Sequence, residues 1–96
     1  MIISFGDKIT ENIFNGISNK KTRGYPQELI KIFERKLDFI NGAFELIDLK
    51  SPPRNRLKKL KRDLEGFYSI RVNDQFRIIF KWHNHDALEV KITDYH

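Results

Sequence analysis

The chain has no cysteine among its 96 residues, and it has only three prolines, five glycines and one tryptophan. Without cysteine, a disulfide, a thiolate nucleophile and a cysteine-based zinc site are all excluded. An apolar opening at residues 1–5 is interrupted at once by glycine and charged residues, so we expect neither a signal peptide nor a membrane span. These features favour a cytoplasmic protein that has no membrane partner.

The apolar content of the chain is sufficient for one modest core. Hydrophobic residues make up 40% of the sequence, and eight of them are phenylalanine. A chain of this length can bury such a core but is too short for a second domain or an elaborate cofactor cleft. We therefore predict one domain over residues 1–96.

Acidic residues are missing from one stretch that is rich in cations. Residues 50–62 contain seven basic residues and no acidic one, whereas the rest of the chain holds eleven basic and thirteen acidic residues, so the net charge of +5 is local. This concentration favours a polyanionic partner, because phosphate contacts release condensed counterions. A lysine-rich loop that only maintains solubility is the alternative interpretation.

The N-terminal half has the spacing of helices. After a short apolar strand at residues 2–5, Asp7 is placed to cap a helix over residues 8–17. Pro26 suits the first position of a second helix. The apolar stripe that follows comprises Leu29, Phe33, Leu37, Ile40 and Phe44, and we expect the helix to end at Asn41–Gly42 before one further turn.

The C-terminal half has the period of strands. Ser51, Pro52 and Pro53 end the helical region, and beyond them apolar residues alternate with polar ones. The alternating apolar sets are Tyr68, Ile70 and Val72, then Phe76, Ile78, Phe80 and Trp82, then Leu88, Val90 and Ile92. Short polar turns between these sets predict antiparallel neighbours, and residues 56–60 add a shorter strand. The result is an α+β fold of order β-α-α-β-β-β-β, with two N-terminal helices packed on one face of a mainly antiparallel sheet of about five strands.

Three short motifs follow one another along this half. Residues 68–72 read Tyr-Ser-Ile-Arg-Val, residues 76–80 read Phe-Arg-Ile-Ile-Phe, and residues 94–96 read Asp-Tyr-His. In this order the chain resembles the RelE/ParE toxin superfamily, and within it the HigB branch, whose members end on Asp-Tyr-His. Phe76 stands where that branch usually has tryptophan. The resemblance covers essentially the whole chain and is strongest from Arg54 onward.

This resemblance implies the toxin of a type II toxin-antitoxin system, a ribosome-dependent mRNA endonuclease that inhibits translation. Such toxins need no metal or other cofactor, because the RNA 2′-hydroxyl attacks the adjacent phosphate. The implied partners are a HigA-like helix-turn-helix antitoxin, the ribosome and mRNA, with operator DNA bound only through the antitoxin complex. The chemistry requires a base, cations for the phosphorane and an acid for the leaving oxygen.

Arg77 is the first candidate for the phosphate-binding cation. Alternation places it opposite the core-facing Phe76 and Ile78, and its planar fork suits phosphate oxygens. Arg71 shares this polar face across the hairpin. An exposed strand arginine that pairs with a carboxylate remains the alternative for Arg77.

Proton transfer is assigned to the end of the chain. An unperturbed histidine has a pKa of about 6.5, which suits an acid or a base near neutral pH, so His96 is the candidate. Tyr95 is expected to stack on a base or orient the phosphate. Asp94 is expected to fix the His96 tautomer or to accept the 2′-hydroxyl proton. A frayed, inactive terminal tripeptide is the alternative.

Lys58 marks a departure from the family pattern. Relatives carry Leu-His-Pro-Leu-Lys where this chain has Leu-Lys-Lys-Leu-Lys at residues 57–61. A lysine, with an ordinary pKa of about 10.4, is a poor base at neutral pH, so Lys58 is assigned to charge stabilisation. Lys61 matches the final lysine of the pattern and is assigned to phosphate contact. Further RNA contacts are expected from Arg54, Arg56, Lys59 and Arg71.

Two other functions compete with RNA cleavage at this stage. The same superfamily includes ParE-like poisons of DNA gyrase, against which the Asp-Tyr-His ending and the basic stretch argue. A non-catalytic relative that binds ribosomes or RNA is the other alternative, with the change at Lys58 as the cause of lost cleavage.

Overall fold

Within residues 1–94, which are the residues that this computed structural model describes, two α-helices precede four strands. The helices are α1 (Lys8–Phe14) and α2 (Gln27–Gly42). The strands are β1 (Lys58–Lys59), β2 (Phe67–Arg71), β3 (Phe76–His83) and β4 (Asp86–Asp94). Short 3₁₀ turns occupy much of the chain between α2 and β2.

Helix α1 begins as predicted but is shorter. The Asp7 carboxylate accepts a hydrogen bond of 2.9 Å from the backbone N–H of Thr10, which satisfies one of the free donors at the helix start. The helix ends at Phe14 rather than at residue 17. Gly16 follows with φ +72°, a left-handed conformation that glycine adopts without steric cost and that turns the chain away.

Helix α2 supplies the main helical contribution to the core. Phe33, Leu37 and Ile40 are fully buried, as their spacing predicts. The prediction that Phe44 continues this stripe is wrong, because 64% of Phe44 is exposed. The helix has already ended at Gly42, so helical spacing no longer sets the direction of Phe44, whose ring stacks instead on His85.

The strands form one antiparallel sheet in the order β1-β2-β3-β4. The first predicted strand is reduced to two isolated parallel bridges, from Ile2 to Ala87 and from Phe5 to Val90. The sheet therefore has four regular strands and an N-terminal edge segment rather than five strands. The predicted order of elements and the α+β class are confirmed.

A β-bulge changes which side chains of β4 face the core. Ala87, Val90 and Ile92 are buried, whereas Leu88, predicted to be buried with Val90, is only half-buried. The register with β3 shifts in this region, and Glu89 has φ +53°. An extra residue in one strand reverses the alternation beyond it, so Ala87 takes the place predicted for Leu88.

Both helices pack against one face of the sheet. Phe33 lies edge-to-face on Phe76 with ring centroids 5.4 Å apart, and Ile70, Ile78 and Phe80 complete the contact from the strands. The opposite face of β2 and β3 is therefore free to carry polar side chains. Within the described residues no helix has the length and apolar character needed to cross a membrane.

Candidate active site

Basic side chains meet on the sheet face that points away from the helices. Lys58 pairs with Ser69 across β1 and β2, and Arg71 pairs with Arg77 across β2 and β3. Residues directly opposite each other in antiparallel strands point to the same face, and Ser69 and Arg71 are two positions apart on one strand. Lys58, Arg71 and Arg77 therefore project to the same side.

A cleft with a volume of about 280 Å³ lies between these side chains. Its lining consists of four cationic side chains, one hydroxyl and one carboxylate: Arg56, Lys58, Arg71, Arg77, Ser69 and Asp74. Arg71 forms an ion pair with Asp74, whose carboxylate is fully exposed to solvent. Asp74 neutralises one of the four positive charges of the lining, which therefore keeps a net positive charge. The cleft is suited to an anion.

The backbone of β3 holds Arg77 in place within the sheet. Its neighbours Phe76 and Ile78 are buried in the core, and Arg77 pairs with Thr93 of β4. The Thr93 hydroxyl also donates a hydrogen bond of 3.4 Å to the Arg77 carbonyl oxygen. Arg77 and Arg71 are both partly buried, and an arginine fork held on a strand loses less freedom when it binds phosphate oxygens.

Arg56 reaches the cleft from a strained turn. It follows the 3₁₀ turn Pro53–Asn55 and has φ 45° and ψ 54°, the left-handed region. Such a conformation costs a non-glycine residue about 1–2 kcal/mol, and it persists where the surrounding structure determines it. Arg56 also lines an adjoining hollow with Pro53, Arg54 and Arg71.

Asn55 fixes this turn to the rest of the protein. It is fully buried, and its side-chain N–H groups donate to the carbonyl oxygens of Leu49 and Ser51 at 3.2 and 3.3 Å. Its side-chain oxygen accepts a hydrogen bond of 2.5 Å from Lys36 Nζ on α2. The turn that carries Arg54 and Arg56 is thus hydrogen-bonded to the helical layer.

The electrostatics around Lys36 show how closely the cations are gathered. Burial lowers the pKa of Lys36 from its ordinary value, and the positive charges of Arg35, Arg71 and Arg54 lower it further. A cation whose pKa falls beside other cations is destabilised by like charge. A bound anion would relieve that repulsion.

Two of the lysines predicted to contact RNA, Lys59 and Lys61, do not line the cleft. Lys59 pairs with Tyr68, so it projects to the face opposite Lys58. Lys61 precedes the 3₁₀ turn Arg62–Leu64. Both are exposed and neither lines the cleft. From the basic stretch, Arg56 and Lys58 line the cleft and Arg54 the hollow beside it.

Asp94 is at the end of β4 and does not line the cleft. Its partner across the sheet is Phe76, which places the Asp94 side chain on the helical side, and its carboxylate accepts a hydrogen bond of 3.0 Å from the Gln75 side chain. The pKa of Tyr25 is raised by burial and then by the charges of Asp7 and Asp94. Tyr95 and His96, the other predicted terminal site residues, lie outside the described residues.

Sequence reasoning missed three contributors to this region. Ser69 alternates with Arg71 on the polar face, so the period of two could have identified it. Asp74, in the turn after β2, could have been considered as a partner for Arg71. The Lys36–Asn55 contact has no sequence signal, because its residues are 19 positions apart.

Sequence comparisons place the chain among toxins. A sequence model of the HigB-like toxin family, described as RelE-like toxins of the type II toxin-antitoxin system HigB, matches residues 3–96. Toxin HigB-1 of Vibrio cholerae is 38% identical over 82 residues, which are 85% of this chain and 84% of that protein. Endoribonuclease HigB of Proteus vulgaris is 34% identical over 97 residues, covering 100% of both chains.

Solved structures show the same fold. YafQ from Escherichia coli BL21(DE3) has a TM-score of 0.59 at 15% identity, covering 99% of this chain and 92% of that chain. A chain of the YoeB–YefM complex from Staphylococcus aureus has a TM-score of 0.58 at 25% identity, covering 100% and 95%. The same pair forms a heterotetrameric toxin-antitoxin complex.

Proposed function

Since the chain belongs to the HigB-like family of RelE-like toxins from type II toxin-antitoxin systems, we propose that it is an endoribonuclease that cuts mRNA on the ribosome. Cleavage of the message inhibits translation and hence growth. The observation that carries this proposal is the cleft on the sheet, where four cationic side chains gather around a space suited to a phosphate. Membership of the toxin family and the name of the Proteus relative support the proposed activity, and the cleft offers the cationic side chains that the proposed reaction needs.

The reaction is a transfer within the RNA strand. The 2′-oxygen forms a bond to the adjacent phosphorus, and the bond from phosphorus to the 5′-oxygen of the next nucleotide breaks. One proton leaves the 2′-hydroxyl and one is delivered to the 5′-oxygen. The products are a 2′,3′-cyclic phosphate and a 5′-hydroxyl, and no metal takes part in the mechanism implied by the family resemblance.

Arg77 and Arg71 bind the non-bridging oxygens of the scissile phosphate. The two residues are directly opposite each other on paired strands and both line the cleft, and negative charge increases on those oxygens in the phosphorane. Lys58 and Arg56 add charge from the edge of the cleft. Lys58 replaces the histidine of related toxins as a stabiliser of charge and not as a base.

His96 transfers the protons in this proposal, and Tyr95 orients the phosphate or stacks on a base. Asp94 has a supporting role, because strand alternation places it on the face opposite Arg77. We assign it to holding the His96 tautomer in preference to accepting the 2′-hydroxyl proton. Lys59 and Lys61, which are exposed outside the cleft, contact RNA of the message or the ribosome.

The partners follow from the same family membership. A type II toxin has an antitoxin as its partner. We propose that this antitoxin is a HigA-like helix-turn-helix protein and that operator DNA is reached only through the complex of the two. The ribosomal target places the active toxin in the cytoplasm, as one domain over residues 1–96.

The proposed chemistry is tested by the ends that the cleavage leaves. Purified protein is mixed with ribosomes that carry an mRNA with a single 2′-deoxy nucleotide at the cleaved position, and with the matching all-ribose mRNA. We expect cleavage of the all-ribose message only, with 5′-hydroxyl ends. Cleavage of the 2′-deoxy message, or 5′-phosphate ends, would exclude attack by the 2′-hydroxyl.

Arg77→Gln tests the main phosphate contact in the same assay. We expect kcat/KM to fall at least a hundredfold, since a charged hydrogen-bonding fork that acts on the transition state is lost. Lys31→Gln, which removes one exposed positive charge from α2, is the matched control and should cleave normally. Normal cleavage by Arg77→Gln would remove Arg77 from the site.

A further inference from the structure

A second basic hollow adjoins the cleft. Pro53, Arg54, Arg56 and Arg71 line it, and its volume is about 480 Å³. Arg56 and Arg71 also line the cleft proper, so the two spaces lie side by side and share two arginines. Pro53 and Arg54 line the hollow and not the cleft, so Arg54 is the one charged residue among the hollow's lining that the cleft does not share.

The hollow combines like charges at close quarters. Three of its four lining residues are arginines. The charges of Arg71 and Arg54 help to lower the pKa of Lys36, whose ammonium group is thus within electrostatic reach of this cluster. Asp74, the described ion-pair partner of Arg71, lines the cleft and not the hollow.

The turn that carries these arginines is fixed before any ligand binds. Asn55, the residue between Arg54 and Arg56, is fully buried and hydrogen-bonded to Leu49, Ser51 and Lys36. The left-handed backbone of Arg56 directs its side chain to both spaces. A site that is already ordered loses less conformational entropy on binding, as expected for a site that recognises a ligand.

We propose that this hollow is a second phosphate subsite, which binds the mRNA phosphate next to the scissile one. The inference rests on the proposed cleavage at the cleft. Because the RNA backbone continues from one phosphate to the next, a basic space beside the cleft, with two arginines in common, receives a neighbouring phosphate when the scissile one is bound at Arg77. Arg54 holds this second phosphate, and Arg56 and Arg71 bridge the two positions.

A neutral backbone linkage tests the subsite directly. Ribosome-bound mRNA is prepared with a single methylphosphonate, which lacks the negative charge, either one linkage before or one linkage after the cleavage point. For the unmodified protein we expect one of these substitutions to lower kcat/KM about tenfold. Equal cleavage of all three messages would overturn the subsite while leaving the proposed function intact.

Arg54→Gln then tests whether Arg54 contacts the charged phosphate that the methylphosphonate replaces. On the all-phosphate message, we expect the kcat/KM of the variant to be about tenfold lower than that of the unmodified protein. On the message whose sensitive linkage is neutral, we expect the variant and the unmodified protein to have the same kcat/KM, because the two changes remove the same contact. Arg54→Lys should recover part of the effect. Lys31→Gln, the control, should keep the full methylphosphonate penalty.

The outcomes separate the two levels of the proposal. Absence of cleavage by the unmodified protein on any message would refute the proposed function. Normal cleavage of the ordinary message, together with independent and multiplying effects of Arg54→Gln and the neutral linkage, would refute the subsite alone. Non-multiplying effects would establish Arg54 as the contact.

Discussion

Replacing Arg56 with glycine separates the backbone of the arginine turn from its side chain. Arg56 has φ 45° and ψ 54°, a conformation that costs an ordinary residue roughly 1–2 kcal/mol and glycine almost nothing. Glycine also raises the conformational entropy of the unfolded chain, which lowers the free energy of unfolding by about 0.5–1 kcal/mol. The two effects nearly cancel, so Arg56→Gly should unfold within about 1 kcal/mol of the unchanged protein. Arg56→Ala keeps the strain and should be the less stable of the two variants.

Cleavage by Arg56→Gly should fall sharply, although its stability should hardly change. Arg56 contributes one of the four cationic groups around the cleft. Loss of a hydrogen bond to a charged group costs about 1.5–3 kcal/mol, which corresponds to roughly a ten- to hundredfold fall in kcat/KM. Arg56→Gly should therefore be folded normally and cleave poorly, whereas a purely structural role would lower both quantities together.

The assay pairs urea unfolding with primer-extension mapping of ribosome-bound mRNA. The reasoning is refuted if the free energy of unfolding of Arg56→Gly is lower than that of the unchanged protein by over about 2 kcal/mol, since Arg56 would then carry no left-handed strain for glycine to relieve. It is equally refuted if Arg56→Gly cleaves at the normal rate. Arg23→Gly, in which the replaced arginine is exposed in the 3₁₀ turn Thr22–Gly24, controls for the added flexibility of glycine.

Three further predictions follow from individual side chains. Lys36→Met should unfold about 1–3 kcal/mol more easily, because the buried Asn55 oxygen loses its donor; urea denaturation measures this, with Lys31→Met as the control. Because the pKa of Lys36 is lower in the folded state than the ordinary 10.5, Lys36 should contribute a gain in stability as pH rises from that lowered pKa to 10.5. Lys36→Met should lack this gain, and a pH series of denaturation curves shows whether it does. His96→Ala should reduce cleavage more than tenfold with an unchanged unfolding midpoint; normal cleavage would remove His96 from the mechanism.

The local pattern of the sequence predicts the face of each strand residue well. Alternation alone placed Arg71 and Arg77 on one polar face, because the period of a strand is a property of its own backbone. It fails where the backbone departs from the regular strand. Because of the bulge near Glu89, Ala87 is buried in the core in place of Leu88. No residue type in that stretch of the sequence predicts the extra residue.

Contacts between distant residues could not be predicted in the same way. The sequence shows the basic stretch as a run of positive charge, but which of its residues face the cleft depends on strand pairing. Lys58 faces the cleft beside Ser69, and Lys59 faces the other side. The hydrogen bond from Lys36 to Asn55 joins a helix to a turn 19 residues later. Such a buried polar contact follows from the packing of layers and not from local spacing.

The central claim is that this chain cuts mRNA on the ribosome through the basic cleft of its sheet. The most direct test is primer-extension mapping of new ends after purified protein is added to mRNA, with and without programmed ribosomes. The account predicts new ends only when ribosomes are present, and their loss in Arg77→Gln. Binding to ribosomes without new ends, or double-strand DNA damage without RNA cleavage, would contradict it and favour a binding-only or gyrase-directed toxin.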